Sequence, residues 1–171
     1  MSLVLNRPTG PAPVPVPHLK AVKDLFEGLT GRDVEIASGA DPVAVGGASG
    51  SLVGLYVDAS METRALVMFD VALAAYSGAA LGLLPPGAAQ DAVDAGALTE
   101  TLVENCSEVL NVFASLFNVP NAPHLKLYSV IGPDDELRAD VRELAVRAAP
   151  RDDIALEIAR YGRGRLSVVV R

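Results

Sequence analysis

One stretch of the chain, residues 97–118, alternates apolar and polar positions with the period of an α-helix. At about 100° per residue, the apolar side chains fall on one broad face. They are Leu102, Cys106, Val109, Leu110, Phe113, Leu116 and Phe117. The polar side chains fall on the opposite face and are Glu100, Glu104, Glu108, Asn111, Ser115 and Asn118. We therefore predict a long helix with one buried face and one face in water.

Two further segments show helical spacing of apolar residues. Residues 18–29 place them at intervals of three and four, and Gly31 stands where a C-terminal cap belongs. Residues 70–82 are rich in Ala and predict a second helix, which the prolines within residues 83–88 end. The mixed segment 134–148 is compatible with a short helix.

Short apolar runs bounded by turn residues predict strands at 33–37, 51–57, 65–69 and 124–131. Residues 153–160 and 165–171 predict a closing hairpin that turns at residues 161–164, where glycine tolerates the positive φ of a tight turn. Because the strands fall into hairpin-length pairs rather than βαβ units, the predicted fold class is α+β. We expect two layers, with long helices packed on one face of an antiparallel sheet.

The chain divides into a short N-terminal segment and one domain. Residues 1–17 carry prolines at positions 8, 11, 13, 15 and 17, so this arm is expected to be extended and largely outside the core. A docked arm and a recognition motif for a proline-binding partner are the alternatives. Residues 18–171 are long enough for one domain with a full core.

Charge and composition exclude several classes of function. The formal net charge of −7 argues against nucleic acid and against an anionic membrane surface, and it favours a partner with a basic patch. No apolar run approaches the roughly 18 residues that span a bilayer, and the N-terminus does not resemble a secretory signal. The single cysteine, Cys106, is predicted to be a buried, inert thiol, which agrees with a cytoplasmic location.

Few residues favour a metal or nucleotide site. The chain has two histidines, His18 and His124, far apart and without cysteine partners, so we expect no metal site and no cofactor of the protein's own. A Ser-His-Asp hydrolase built on His124 lacks a nucleophile elbow. The glycine-rich residues 46–50 lack the Lys-Ser/Thr of a phosphate loop and indicate a turn.

The Glu108 and Asn111 pair on the wet face has two interpretations. The simpler one is a plain solvated helix face. However, Asn in a helix interior costs up to about 0.7 kcal/mol relative to Ala, which suggests a role other than holding the helix together. A carboxylate can dock a partner's lysine, and an amide can hold a water and direct it at an electrophile.

The helix at residues 97–118 resembles the signature helix of the CheC/CheX/FliY phosphatases, which dephosphorylate the chemotaxis response regulator CheY. Glu108-Val109-Leu110-Asn111 matches the Glu-x-x-Asn centre of that signature, and Pro133 lies one residue short of its proline. The order of elements over residues 18–171 is most similar to CheX. Glu104 stands where the family has Asp or Ser. The first helix carries Glu27-Gly28-Leu29-Thr30 without an Asn, so at most one active site is expected.

This resemblance implies a function in two-component chemotaxis signalling. Asn111 would orient a water for hydrolysis of the aspartyl phosphate on a CheY-like receiver domain, and Glu108 would pair with the receiver's active-site lysine. Glu104 and Ser115 are the expected partner contacts on either side. The Mg²⁺ would be supplied by the receiver, and a homodimer is expected.

Two rival hypotheses remain from the sequence. A CheC/CheX-like module without catalytic activity would bind a regulator through the same helix. An unrelated α+β domain would carry Glu108 and Asn111 on a helix face that only contacts water.

Overall fold

The computed structural model describes residues 13–46, 49–148 and 150–171. In chain order the elements are α1 (Leu19–Thr30), β1 (Val34–Ser38), β2 (Leu52–Val57), β3 (Thr63–Phe69), α2 (Val71–Leu81), α3 (Pro86–Ala95), α4 (Glu100–Phe113), β4 (Lys126–Ile131), α5 (Ala139–Ala145), β5 (Arg151–Ile158) and β6 (Gly162–Val170). A 3₁₀ turn, Ala114–Leu116, continues α4. None of these helices is long and apolar enough to cross a membrane, within the residues described.

The six strands form one sheet in the order β1-β5-β6-β3-β2-β4. Every neighbouring pair is antiparallel, and β1 and β4 are the two edges. The prediction of an α+β fold with an antiparallel sheet is therefore confirmed.

The two faces of the sheet carry separate apolar clusters, because successive side chains of a strand point to opposite sides. On β3, Val67 and Phe69 join the larger cluster, which also contains Phe26 of α1 and residues of α2 and α4. Leu66 and Met68 face the other side, where they join the residues of α5. The long helices thus cover one face as expected, and the short α5 covers part of the opposite face.

Helix α2 is the most deeply buried helix of the large layer, and its small residues allow close packing. All residues from Leu73 to Ala80 are buried. A Cβ atom on Gly78 would lie 2.8 Å from the backbone oxygen of Leu102 in α4. The side-chain amide of Asn105 donates to the Gly78 carbonyl at 3.0 Å. This close approach places α4 against α2 and leaves the opposite side of α4 to solvent.

The environment of Cys106 agrees with an inert thiol. The side chain is fully buried on the inner face of α4, and burial raises the pKa of the thiol to about 12. The thiol therefore stays protonated at neutral pH.

Two local features differ from the sequence predictions. Helix α3 was not expected, because the prolines within residues 83–88 were interpreted only as a break, whereas Pro86 occupies the start of a new helix. The closing hairpin turns at residues 159–161, with Arg160 at φ 71°, rather than at 161–164. Gly164 is needed within β6, since a Cβ there would lie 2.4 Å from the backbone nitrogen of Leu73.

The end of the proline-rich arm lies against the domain. Val14 is 4% exposed and belongs to the large apolar cluster, and Pro17 is also buried. The expectation that the arm lies outside the core does not hold for residues 14–17, which match the docked alternative. Residues 1–12 lie outside the described residues.

A partly buried ion pair ties α5 to the sheet. Arg151 donates to both Asp153 carboxylate oxygens and also to the carbonyls of Ala145 and Arg147 at the end of α5. Ser167 donates to Asp153 at 2.6 Å. Burial alone would raise the pKa of the Asp153 carboxyl. The hydrogen bonds from Arg151 and Ser167, with the Arg151 charge, outweigh burial and hold this pKa below its usual value of 3.8.

We predict that Asp153→Asn lowers the free energy of unfolding at pH 7 by about 1–2 kcal/mol, because it removes the charge that pairs with the partly buried Arg151. The lowered pKa means that the carboxylate's contribution is present above the unfolded pKa and is lost as pH falls through the folded pKa. The difference from wild type should therefore shrink below pH 3.8. Urea unfolding of wild type and Asp153→Asn, at pH 7 and in acid, measures this difference in the free energy of unfolding. The exposed pair Arg138–Asp140 supplies the control, since Asp140→Asn removes a charge that water already screens and should change stability much less.

We also predict opposite effects of two Gly→Ala changes. Gly164→Ala should destabilise the fold by about 3 kcal/mol, because the new methyl group meets the backbone of α2. Gly28→Ala should stabilise by roughly 0.5–1 kcal/mol, since no atom lies within 4 Å of its Cβ position in α1. Equilibrium denaturation of both variants tests the pair. Equal effects would contradict the packing described here.

Candidate functional site

Helix α4 is fixed at its start by a side-chain cap. The Thr99 hydroxyl accepts a hydrogen bond from the backbone N–H of Leu102 at 3.3 Å. Glu100 lies in the first turn, where a carboxylate complements the positive end of the helix dipole. The predicted apolar face is buried, including Val109 and Phe113, both 0% exposed.

The opposite face of α4 carries a row of exposed residues, of which Glu104, Glu108, Asn111 and Ser115 are here called the polar stripe. The first three lie on α4 itself, and Ser115 lies in the 3₁₀ turn that continues it. Their spacings of four, three and four residues make them surface neighbours on the helix. The structure thus brings together all four of the residues that the sequence singled out.

The asparagines of this region differ in their hydrogen bonding. Asn105 donates to the Gly78 carbonyl, and Asn118 exchanges two hydrogen bonds with the backbone of Leu125. Among the described residues, neither the Asn111 amide nor the Glu108 carboxylate has a side-chain hydrogen-bond partner. The Asn111 amide therefore offers an acceptor oxygen and a donor nitrogen to a water or a partner.

The charge of the outer face of α4 is acidic. Glu100, Glu104 and Glu108 follow one another at intervals of four residues, a spacing at which like charges repel. A basic group of a partner would relieve that repulsion. Within the described ranges, no three His, Cys, Asp or Glu side chains gather as a metal site would require.

A shallow apolar groove adjoins the polar stripe. It lies between α1 and the end of α4, with a volume of about 510 Å³. Its lining includes Leu25 and Leu29 of α1 and Val112, Ser115 and Leu116. Ser115 therefore belongs to both the groove and the polar stripe. Sequence reasoning missed the groove, since it depends on how α1 and α4 are placed side by side.

Tyr56 of β2 anchors the C-terminal end of α4 from the side that faces the sheet. The Tyr56 hydroxyl donates to the carbonyl of Leu110 at 2.5 Å, and both residues are fully buried. The Tyr56 ring also contacts the Phe117 ring edge-on at 5.2 Å between centroids. Tyr56 was not predicted from the sequence. The sequence did carry one signal for it, since Tyr56 has the one side-chain hydroxyl in the otherwise apolar strand β2.

Comparison with known proteins gave matches among solved structures alone. No family model and no curated protein matches the chain. The complex of CheX with CheY from Borrelia burgdorferi has a TM-score of 0.48 and 8% identity, over 89% of this chain and 94% of that one. CheX from Desulfovibrio desulfuricans has a TM-score of 0.43 and 14% identity, over 89% and 95% of the two chains. The FliG–FliM complex from H. pylori has a TM-score of 0.49 and 11% identity, over 89% and 85%.

The similar structures also include FliY from Thermotoga maritima and a CheC-like protein from Shewanella. Members of the family that the helix at residues 97–118 resembles are thus among the solved structures to which this chain is similar. Their partners differ: CheX is in complex with CheY, whereas FliM is in complex with FliG or with SpeE. Fold similarity at this level assigns neither a partner nor a residue role, so function depends on the site itself.

The geometry predicts that Asn111 is not required for stability. Asn111→Ala should raise the free energy of unfolding by about 0.5 kcal/mol, because the side chain is exposed within α4 and Ala is the better helix former. Chemical denaturation measures this change. The matched variant Asn105→Ala should instead destabilise, since it removes the hydrogen bond to Gly78. A loss of stability in Asn111→Ala would indicate a structural role.

Proposed function

We propose that this protein hydrolyses the aspartyl phosphate of a CheY-like receiver domain, with Glu108 and Asn111 of α4 as the site. The observation that carries this proposal is the exposed carboxylate–amide pair, without partners among the described residues, on a helix whose other face is buried. A site of this kind needs no deep pocket of its own, because the partner brings the phosphoryl group.

In the proposed reaction, the Asn111 amide accepts a hydrogen bond from a water and holds its oxygen in line with the phosphorus. The water oxygen bonds to phosphorus as the bond from phosphorus to the receiver's aspartyl oxygen breaks. The aspartate leaves as a carboxylate, and the protons of the water pass to the phosphate product or to solvent. The receiver's divalent metal supplies charge neutralisation at the phosphoryl group.

Glu108 and the residues flanking the pair act in docking. In the proposed complex, the Glu108 carboxylate pairs with a lysine of the receiver, and this pair orients the partner so that its phosphoryl group meets Asn111. Glu104 and Ser115 extend the same exposed row by one turn in each direction. The proposal also retains a homodimer and a cytoplasmic location, which the resemblance to CheX implies.

Loss of acyl phosphate from a radiolabelled, Mg²⁺-bound receiver tests the catalytic proposal. We expect wild type to accelerate the loss and Asn111→Ala to reduce that acceleration roughly 100-fold or more, because the water is no longer positioned. Thr101→Ala is the matched control, since Thr101 is also an exposed polar residue of α4 but lies ten positions away, about 15 Å along the axis. It should retain wild-type activity.

Binding measured in parallel distinguishes the alternatives. Glu108→Lys should weaken association with the receiver, whereas Asn111→Ala should leave it nearly unchanged. Binding by wild type without acceleration of hydrolysis would favour an inactive docking module. If the protein neither binds any available receiver nor accelerates hydrolysis, the phosphatase and the docking module are both contradicted. The interpretation that is left is a helix face that only contacts water.

A further inference from the structure

We propose that Tyr56 is a positioning residue for Asn111: its hydroxyl holds the Leu110 carbonyl where α4 changes to a 3₁₀ turn, and so fixes the backbone that carries the Asn111 amide. The inference rests on the proposed phosphatase function for its catalytic consequence. Its structural part stands on the contacts between β2 and α4.

The Leu110 carbonyl lies at a change of helix type. In an uninterrupted α-helix it would accept from the backbone N–H of Ala114, four residues later. Here the Ala114 N–H also approaches the carbonyls of Asn111 and Val112, because the helix tightens into the 3₁₀ turn. The Tyr56 hydroxyl donates to the buried Leu110 carbonyl at 2.5 Å, so this carbonyl has a partner from the sheet at the point where the helix tightens.

This hydrogen bond acts directly on the backbone of Asn111. The Leu110 carbonyl and the Asn111 nitrogen belong to one peptide group, which is planar and rigid. Fixing the carbonyl oxygen therefore restrains the nitrogen and the Cα of Asn111. The Asn111 side chain is exposed and departs from that Cα, so its starting direction depends on a contact made on the buried side of the helix.

The Tyr56 ring has little room to move. A Cβ on Gly54 would lie 3.2 Å from the Leu110 side chain and 3.2 Å from the Tyr56 ring, so glycine is what lets both sit at this point of β2. Phe117 contacts the ring on another side. Burial also keeps the pKa of the Tyr56 phenol well above its usual value, so the hydroxyl remains a donor at neutral pH.

Tyr56→Phe removes the hydroxyl and keeps the ring. With a phosphorylated receiver as substrate, we expect kcat to fall about 10-fold while KM stays within about twofold, because docking is intact but the water is misaligned. Tyr161→Phe is the matched control, since the Tyr161 hydroxyl likewise donates to a backbone carbonyl, that of Leu84, at 2.7 Å. That variant should keep the wild-type kcat and KM. An unchanged kcat in Tyr56→Phe would overturn the proposal.

A second readout does not depend on activity. In ¹⁵N-labelled Tyr56→Phe, the backbone amide resonances of residues 111–115 should shift and exchange with solvent at altered rates, whereas Tyr161→Phe should leave them unchanged. A lower kcat without changes at these amides would indicate general destabilisation and contradict positioning. If wild type hydrolyses no receiver, the proposed function fails, and the amide spectra still decide whether Tyr56 fixes this backbone.

Gly54→Ala is an independent test of the proposal. It can be used even if the Tyr56→Phe protein does not fold. Its new methyl group presses on Leu110 and Tyr56 without removing the hydroxyl. We expect a fall in kcat of about threefold with unchanged KM, together with shifts at residues 111–115. Wild-type kcat and spectra in this variant would count against the proposal.

Discussion

The close packing of α2 between the sheet and α4 is the constraint on which the rest of the structure depends. Small residues make it feasible, because a Cβ at Gly78 would meet the backbone of α4 and one at Gly164 of β6 would meet the backbone of α2. Protein interiors are packed so tightly that single methyl groups matter. With residues 73–80 of α2 buried, α4 is an outer helix, and its amphipathic sequence places the polar stripe in solvent.

The site follows from this arrangement together with one polar contact from the sheet. An exposed side chain on a helix can act on a partner only as precisely as the helix itself is held. The start of α4 is held by the Thr99 cap, its middle by Gly78 of α2, and its end by Tyr56. Asn111 lies one residue beyond the carbonyl that Tyr56 holds, so the exposed surface and the buried anchor are adjacent.

Much of this architecture could be predicted from the period of the apolar residues. The burial of Leu102 and Phe113 and the exposure of Glu108 and Asn111 follow from the helical pattern of α4. The antiparallel sheet follows from the hairpin-length strands. The burial pattern of a helix and the length of a strand depend on residues close together in the chain, so both can be predicted from short stretches of sequence.

What the sequence did not reveal depends on contacts between distant segments. The glycines of β6 indicate a turn locally, but their role is to admit α2. Val14 lies in a proline-rich segment, yet it packs into the large apolar cluster beside residues of distant helices and strands. Tyr56 and Leu110 are 54 positions apart, so no local pattern pairs them. The groove between α1 and α4 likewise exists only once both helices are placed.

The central claim is that the polar stripe is the surface that meets a phosphorylated receiver, and a titration observed by NMR tests it most directly. A receiver domain carrying Mg²⁺ and beryllofluoride, which mimics the phosphoryl group, would be added to the ¹⁵N-labelled protein. The account predicts that the largest changes occur at the side-chain amide of Asn111 and at the backbone amides of Glu104 to Ser115. Changes confined to other surfaces, such as the exposed edge strand β4, would contradict it.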